Sequence, residues 1–291
     1  MSPIANRISS SFGFNARKKV SSIPYSGVIP TNNLYSHWDF SVLADAVGTT
    51  YTSDGTAITS ASGYSIGGSP TTPQLYHKRS GTGTFSSTIS TQNGRKCLSL
   101  ALSSGTANQG AFLNSDGNAF PNVGVSDSYT WIAVWRHSTT LSNYTRMYRW
   151  YLAGYSYDFN DATYWVNSTA NTDELDILNY SAAQRFAAIS SSSNRGSTSI
   201  VHYDIVTVTG ATYGISYNTT LGTTSTASGT VTTPIYSTQV DANRYFQIRP
   251  VTYTSNTTYP ALVACEFAFY NRSMDSTERA SVITSLKAKW G

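Results

Sequence analysis

The chain has 291 residues and a formal net charge of +4, and only 12% of its residues are charged against 40% hydrophobic and 13% aromatic. That length suits one large all-β domain with an appendage, and the apolar content excludes a disordered Ser/Thr-rich stalk, which could not bury enough surface to offset its ordering entropy. Few charges among many Ser, Thr, Gly, Asn and Tyr residues favour strands and turns over solvated helices.

Residues 1–30 read as a basic, extended N-terminal arm. They mix Ser, Gly and basic residues without periodicity and carry the breaks Pro24 and Pro30. Arg7, Arg17, Lys18 and Lys19 precede the first acidic residue, Asp39, and from there on Lys and Arg equal Asp and Glu in number. The net charge therefore belongs to the arm. A balanced body argues against nucleic-acid binding by the folded part, which would need a basic face. The arm also holds Ile4, Ile8, Phe12, Phe14 and Ile23, more apolar content than a linker needs. Arg7, Phe12, Phe14, Arg17, Lys18 and Lys19 are its candidate anchoring residues. The first twenty residues lack the apolar run of a secretory signal, and no stretch reaches membrane-spanning length, so neither export by that route nor a membrane is expected.

Residues 31–291 read as one β domain. Short strand-like runs begin at Leu34 (LYSHWDF) and continue through KCLSLAL to SYTWIAVWRHS. In the last run both alternating faces are apolar: Tyr129, Trp131, Ala133 and Trp135 on one, and Ile132 and Val134 on the other. This marks an inner strand at the centre of the core. Further strand-like runs are MYRWYLAGY, IVHYDIVTVTG, YGISYN, RYFQIRPVTY and ALVACEFAFY, with turn signals such as Asn93-Gly94 and Asp116-Gly117 between elements. No helices alternate with these strands, which excludes a doubly wound α/β fold. SAAQRFAAIS, residues 181–190, is a weaker candidate for a short helix or turn. At the end, Asp275 and Glu278 form a capping box, followed by Val282, Ile283, Leu286 and Trp290 at helical spacing, which predicts one amphipathic helix packed on the sheets. The two cysteines, Cys97 and Cys265, sit in apolar runs and read as buried thiols, with a bridge between distant strands left open.

Several of these segments resemble, in order, the laminin G-like branch of the concanavalin A-like lectin/glucanase superfamily. The opening strand holds Leu34-Tyr-Ser-His-Trp38-Asp39, similar to an L-x-x-W-D signature. Asn93-Gly94-Arg95-Lys96-Cys97-Leu98-Ser99-Leu100 is similar to the family's N-G-(K/R)-x-x-L-x-(F/L) strand, and Ser128–Val134 to a following S-x-T-x-x-A-V strand. The most specific likeness is Glu266-Phe-Ala-Phe-Tyr270-Asn271-Arg272, then a short link and a helix ending in Lys289-Trp290-Gly291. The resemblance covers about residues 34–291, although the middle third contributes little. It implies a two-sheet antiparallel jelly-roll sandwich with one C-terminal helix. Such domains are common on tailed-phage structural and adhesion proteins, so a virion location is the expectation it carries.

Catalytic chemistry finds little support. Hydrolases of that superfamily carry an E-x-D-x-x-E strand that holds acid and nucleophile about 5 Å apart. The only glutamates here, Glu174, Glu266 and Glu278, have no such spacing. Asp173, Glu174 and Asp176 could offer oxygen ligands to calcium from a surface turn, but a solvated turn explains them as well. His37, His77, His137 and His202 are scattered and read as structural or exposed. The remaining candidates are aromatic. Tyr144, Tyr148, Trp150, Tyr155, Tyr157, Tyr164 and Trp165 crowd one segment and could present rigid amphipathic area to a sugar or a protein. The expected protein is thus a non-enzymatic virion component, such as a capsid decoration or a tail or fibre part. Its arm would hold other virion proteins, and its β domain would meet proteins or host-surface glycans. A carbohydrate-binding adhesin is the alternative, a polysaccharide-degrading enzyme is disfavoured, and homo-oligomerisation is left open.

Overall fold

The computed structural model describes residues 29–42, 48–51, 57–62, 74–79, 84–104, 111–115, 128–137, 145–152, 162–167, 172–177, 200–210, 212–220, 223–230, 244–252 and 261–291. The arm residues Arg7, Phe12, Phe14, Arg17, Lys18 and Lys19 lie outside them, as do Tyr144, Tyr155, Tyr157, the turn at Asp116-Gly117 and the segment 181–190.

Sixteen strands, a short 3-10 helix at Phe40–Val42 and one α-helix are described. They are β1 (Leu34–Asp39), β2 (Gly48–Tyr51), β3 (Ala57–Ser62), β4 (Gln74–Arg79), β5 (Thr84–Gln92), β6 (Arg95–Ser104), β7 (Ala111–Ser115) and β8 (Ser128–His137). There follow β9 (Thr145–Leu152), β10 (Ala162–Asn167), β11 (Thr172–Ile177), β12 (Val201–Thr209), β13 (Thr212–Thr220), β14 (Thr223–Thr230), β15 (Arg244–Thr252), β16 (Ala261–Tyr270) and the helix α1 (Ser276–Trp290). The first sheet runs β14-β13-β12-β8-β16-β6-β5-β2, with β1 also paired to β16, and the second runs β11-β10-β9-β15-β7-β4-β3. The pairings recorded between these strands are antiparallel.

β16 explains how the layers are arranged. All ten of its residues are buried, because it is covered on both faces. Phe267 and Phe269 turn toward the second sheet, where Phe267 packs against Phe246 and Tyr148. Val263, Cys265, Ala268 and Tyr270 turn the other way, into a cluster with Val282, Ile283, Leu286 and Trp290 of α1. The same split holds on β8 and β12, so the apolar faces that the sequence places on SYTWIAVWRHS are one inter-sheet face and one helix face. Trp38 of β1 completes the inter-sheet core by stacking on Phe246, centroids 4.8 Å apart.

Local chemistry sets the boundaries. Asn93 and Gly94 take positive φ values of 49° and 71° in the two-residue turn between β5 and β6, the requirement that makes Asn-Gly a hairpin signal. Asp275 caps α1 through its carboxylate, which accepts from the Glu278 backbone N–H at 2.8 Å. The expected box is only half formed, because the Glu278 carboxylate pairs with Arg272 instead. Ile29 is already buried in the helix-side cluster, so the packed structure begins before Leu34. Among the described residues, no helix is long and apolar enough to cross a membrane.

Candidate functional site

The densest chemistry among the described residues lies where the last turn of α1 meets the first sheet. Strand β1 contributes His37 and Asp39, β16 contributes Glu266, and α1 contributes Lys289 and Trp290, all of them buried. The Lys289 ammonium donates to Asp39 Oδ2 at 2.6 Å and to Glu266 Oε2 at 2.8 Å. Glu266 Oε2 also accepts from the Trp290 indole N–H at 2.7 Å, and Glu266 Oε1 is 2.7 Å from His37 Nε2. Asp39 Oδ1 takes the Ser41 backbone N–H and hydroxyl at 3.0 and 2.6 Å. Burial alone would push the Glu266 carboxyl up, but the hydrogen bonds and charges of His37 and Lys289 outweigh it and hold the group at about 2.

One atom each of His37, Asp39 and Glu266 falls within a 4.8 Å cluster, a donor set that could ligate a metal ion. The Lys289 ammonium stands between the two carboxylates and supplies the positive charge there itself. With every oxygen of Glu266 and Asp39 engaged and the residues almost fully covered, the arrangement works as a clasp.

The motifs that carry the family resemblance converge on this clasp. Asn93 and Arg95 of the N-G-R turn donate to the Lys289 carbonyl at 3.2 Å each, and Gln92 donates to the Trp290 carbonyl at 2.8 Å. They satisfy carbonyls that a helix C-terminus otherwise leaves orphaned. Tyr270 donates its hydroxyl to the Pro30 carbonyl, Arg272 donates to the Asn32 carbonyl, and the Asn271 N–H donates to Asn33, each at 2.9 Å. The E-x-x-x-Y-N-R signature thus ties the segment entering the domain to the strand before the helix. Thr130 and Thr207, 2.8 Å apart, fix the intervening link by contacting the Arg272 carbonyl and the Met274 N–H.

A second buried polar group lies between the sheets. Trp135 donates its indole N–H to Asp204 Oδ2 at 2.9 Å, Tyr148 reaches the same oxygen at 3.4 Å, and the His202 ring stacks on Trp135 with His137 against its edge. Asp204, His137 and His202 are fully buried. Sequence reasoning left His137 and His202 scattered and did not single out Asp204. The β8–β12 register, which sets His202 opposite Trp135 and Asp204 opposite Ala133, is what joins them.

The sequence-derived ligand candidates separate accordingly. Tyr148 is corrected from a binding to a core residue: it is fully buried between the sheets against Trp135 and Phe267. Alternation along a strand requires about half of such an aromatic run to face the core, and the sequence did not say which half. Trp150 stands opposite Phe246 in the β9–β15 register, and Tyr164 and Trp165 occupy β10. The calcium candidates Asp173, Glu174 and Asp176 lie on strand β11, paired with β10, and not in the turn that the calcium reading presumed. Successive strand positions alternate between faces, so Asp173 does not share a face with the other two. Cys97 and Cys265 are free, buried thiols on neighbouring strands, sulfurs 3.6 Å apart. Burial, then the hydrogen bond with Cys97, pushes the Cys265 thiol well up.

No protein-family model matches the sequence, and no curated protein is significantly similar to it. Solved structures do share its fold. A mutant Trypanosoma rangeli sialidase with trans-sialidase activity aligns with a TM-score of 0.51 at 12% identity, over 89% of this chain and 34% of the sialidase. The binding domain of botulinum neurotoxin DC, solved in complex with rat synaptotagmin II, aligns with a TM-score of 0.50 at 11% identity, over 74% of this chain and 47% of that one. This chain therefore spans about a third of the sialidase and about half of the toxin domain. At such identities the likeness speaks for the β architecture alone.

Proposed function

We propose that this chain is a non-catalytic binding module of a virus particle, a concanavalin A-like jelly roll held to other virion proteins by its basic arm and displayed for contact with proteins or glycans. The observation that carries the reading is the use of its best chemical groups. Glu266, Asp39, Lys289 and Asp204 are buried and engaged in closing the layers, so the motif residues serve the fold, and function falls to the surface and to the arm. The acid-free arm, with Arg17-Lys18-Lys19 and Phe12 and Phe14, suits an assembly contact that combines charge with apolar docking. Because Ile29 and the Pro30 carbonyl belong to the packed structure, a deletion that tests the arm must stop at residue 28. The expected result is a deleted chain that melts like the full one and is missing from assembled particles. Normal incorporation would contradict the anchoring role.

A carbohydrate-binding adhesin is the second reading. It is favoured by the tyrosines that the register sets side by side on the second sheet, Tyr245 opposite Tyr151.

A further inference from the structure

The balanced charge of the body conceals a segregation that only the sheet order reveals. Strands β4, β7, β15 and β9 are adjacent in the second sheet although they are scattered along the chain. Together they carry Lys78, Arg79, Arg146, Arg149, Arg244 and Arg249 and not one Asp or Glu. The described carboxylates of this sheet are all on its edge strand β11.

Register gathers most of these cations at one end. Arg79 pairs with Ala111 at the start of β7, and Lys78 with Phe112 beside it. β15 runs antiparallel to β7, which brings its irregular stretch between Ile248 and Val251, including Arg249, to the same end. Val251 then pairs with Arg146, and Arg149 stands one turn of the pleat further in, opposite Gln247. Adjacent strands lie about 4.8 Å apart, so four of them spread these charges over roughly 15 Å, the reach of an oligosaccharide and not of one small anion.

The face is also identifiable. Phe246, Ile248 and Tyr148 are buried toward the first sheet, so the alternate positions, Lys78, Arg149 and Arg249 among them, belong to the opposite face, whereas Arg79, Arg146 and Arg244 are in register with the buried set. There the register sets Tyr76, Asn114, Gln247 and Arg149 in one row across four strands, with Tyr245 and Tyr151 in the row two positions along and Lys78 on the other side. Among the described residues, no third layer packs on this face. Phenols, amides and guanidinium groups in rows are donors and acceptors matched to sugar hydroxyls and carboxylates.

We propose that this face, at its Lys78–Arg149–Arg249 end, is a contact surface for an acidic polysaccharide. The inference rests on the reading of the chain as a binding module and names the ligand class. A glycan is favoured over nucleic acid because tyrosines and amides separate the cations, while the body as a whole carries no excess charge to draw in a polyanion as dense as a duplex.

The test titrates the full chain with polygalacturonate fragments, dextran of matched length and a short DNA duplex, in low and physiological salt. It is repeated with the double variant Lys78→Gln/Arg149→Gln, with Arg149→Lys, and with Lys287→Gln on the helix face as a control, each checked by thermal melting. The expected result is salt-sensitive binding of polygalacturonate alone, weakened roughly tenfold or more by the double variant, restored in part by Arg149→Lys and untouched by Lys287→Gln. Dextran bound as well as polygalacturonate, with the double variant unaffected, would overturn the charged surface while leaving a binding module. A duplex bound more tightly than either sugar would overturn the glycan assignment, and no binding to any probe would overturn the proposal outright.

Discussion

Glu266 shows how far one buried carboxylate can organise a fold. It joins β1, β16 and α1 through His37, Lys289 and Trp290, and its ionised form is what those partners hold. Its group is held at about 2, below its ordinary 4.5, so the native state favours the deprotonated form. The stabilisation is therefore fully present above pH 4.5 and is lost as pH falls through the window from 4.5 to 2. Linkage makes it about 3 kcal/mol. Urea unfolding at a series of pH values should show that loss in the wild type and a flatter profile in Glu266→Gln. Removing the cation should cost more at neutral pH. Lys289→Met leaves Asp39 and Glu266 buried side by side, and a destabilisation of about 3–5 kcal/mol is expected in the same measurement. Little of this could be read from residue types. Glu266 was visible as part of a motif, but its partners lie up to 229 positions away in sequence, and only the β1–β16 register brings His37 and Asp39 to it.

At the scale of elements, the strands with two apolar faces were legible because burial on both sides removes the polar alternation that a half-exposed strand shows. β8 is the strand read that way, and it is central; β16, read only as a strand-like run, proves to be buried on both faces beside it. The helix was legible through Asp275 and the stripe Val282, Ile283, Leu286 and Trp290, all four of which are buried. What α1 packs on was not legible, since the cluster under it draws on five separate strands as well as Ile29. Capping and packing should separate by size. Asp275→Ala loses one capping bond and should cost about 1 kcal/mol, whereas Trp290→Ala opens a cavity beneath the helix and breaks the clasp, about 3–5 kcal/mol, both read from thermal or urea unfolding. Equal effects would mean that the helix is held by its cap and not by its buried face.

For the whole molecule, the sequence carried the layer composition and the closing motifs, and it missed the distribution of charge. Counting along the chain places the excess in residues 1–30, yet sheet order collects basic strands in one place and acidic positions on an edge, a property of topology that no linear window contains. The binding candidates were legible as aromatic residue types only. Alternation along β9 decides which of them belong to the core, and Tyr148 shows that a crowded aromatic segment can be packing. The central claim, that this molecule binds without cutting, is tested most directly by exposing the full chain to an immobilised glycan array, with and without a calcium chelator, and then recovering the glycans. Retention of the protein on glycans that are recovered intact is the predicted result. Release of shortened glycans, abolished by substituting Glu174 or Asp176, would contradict it.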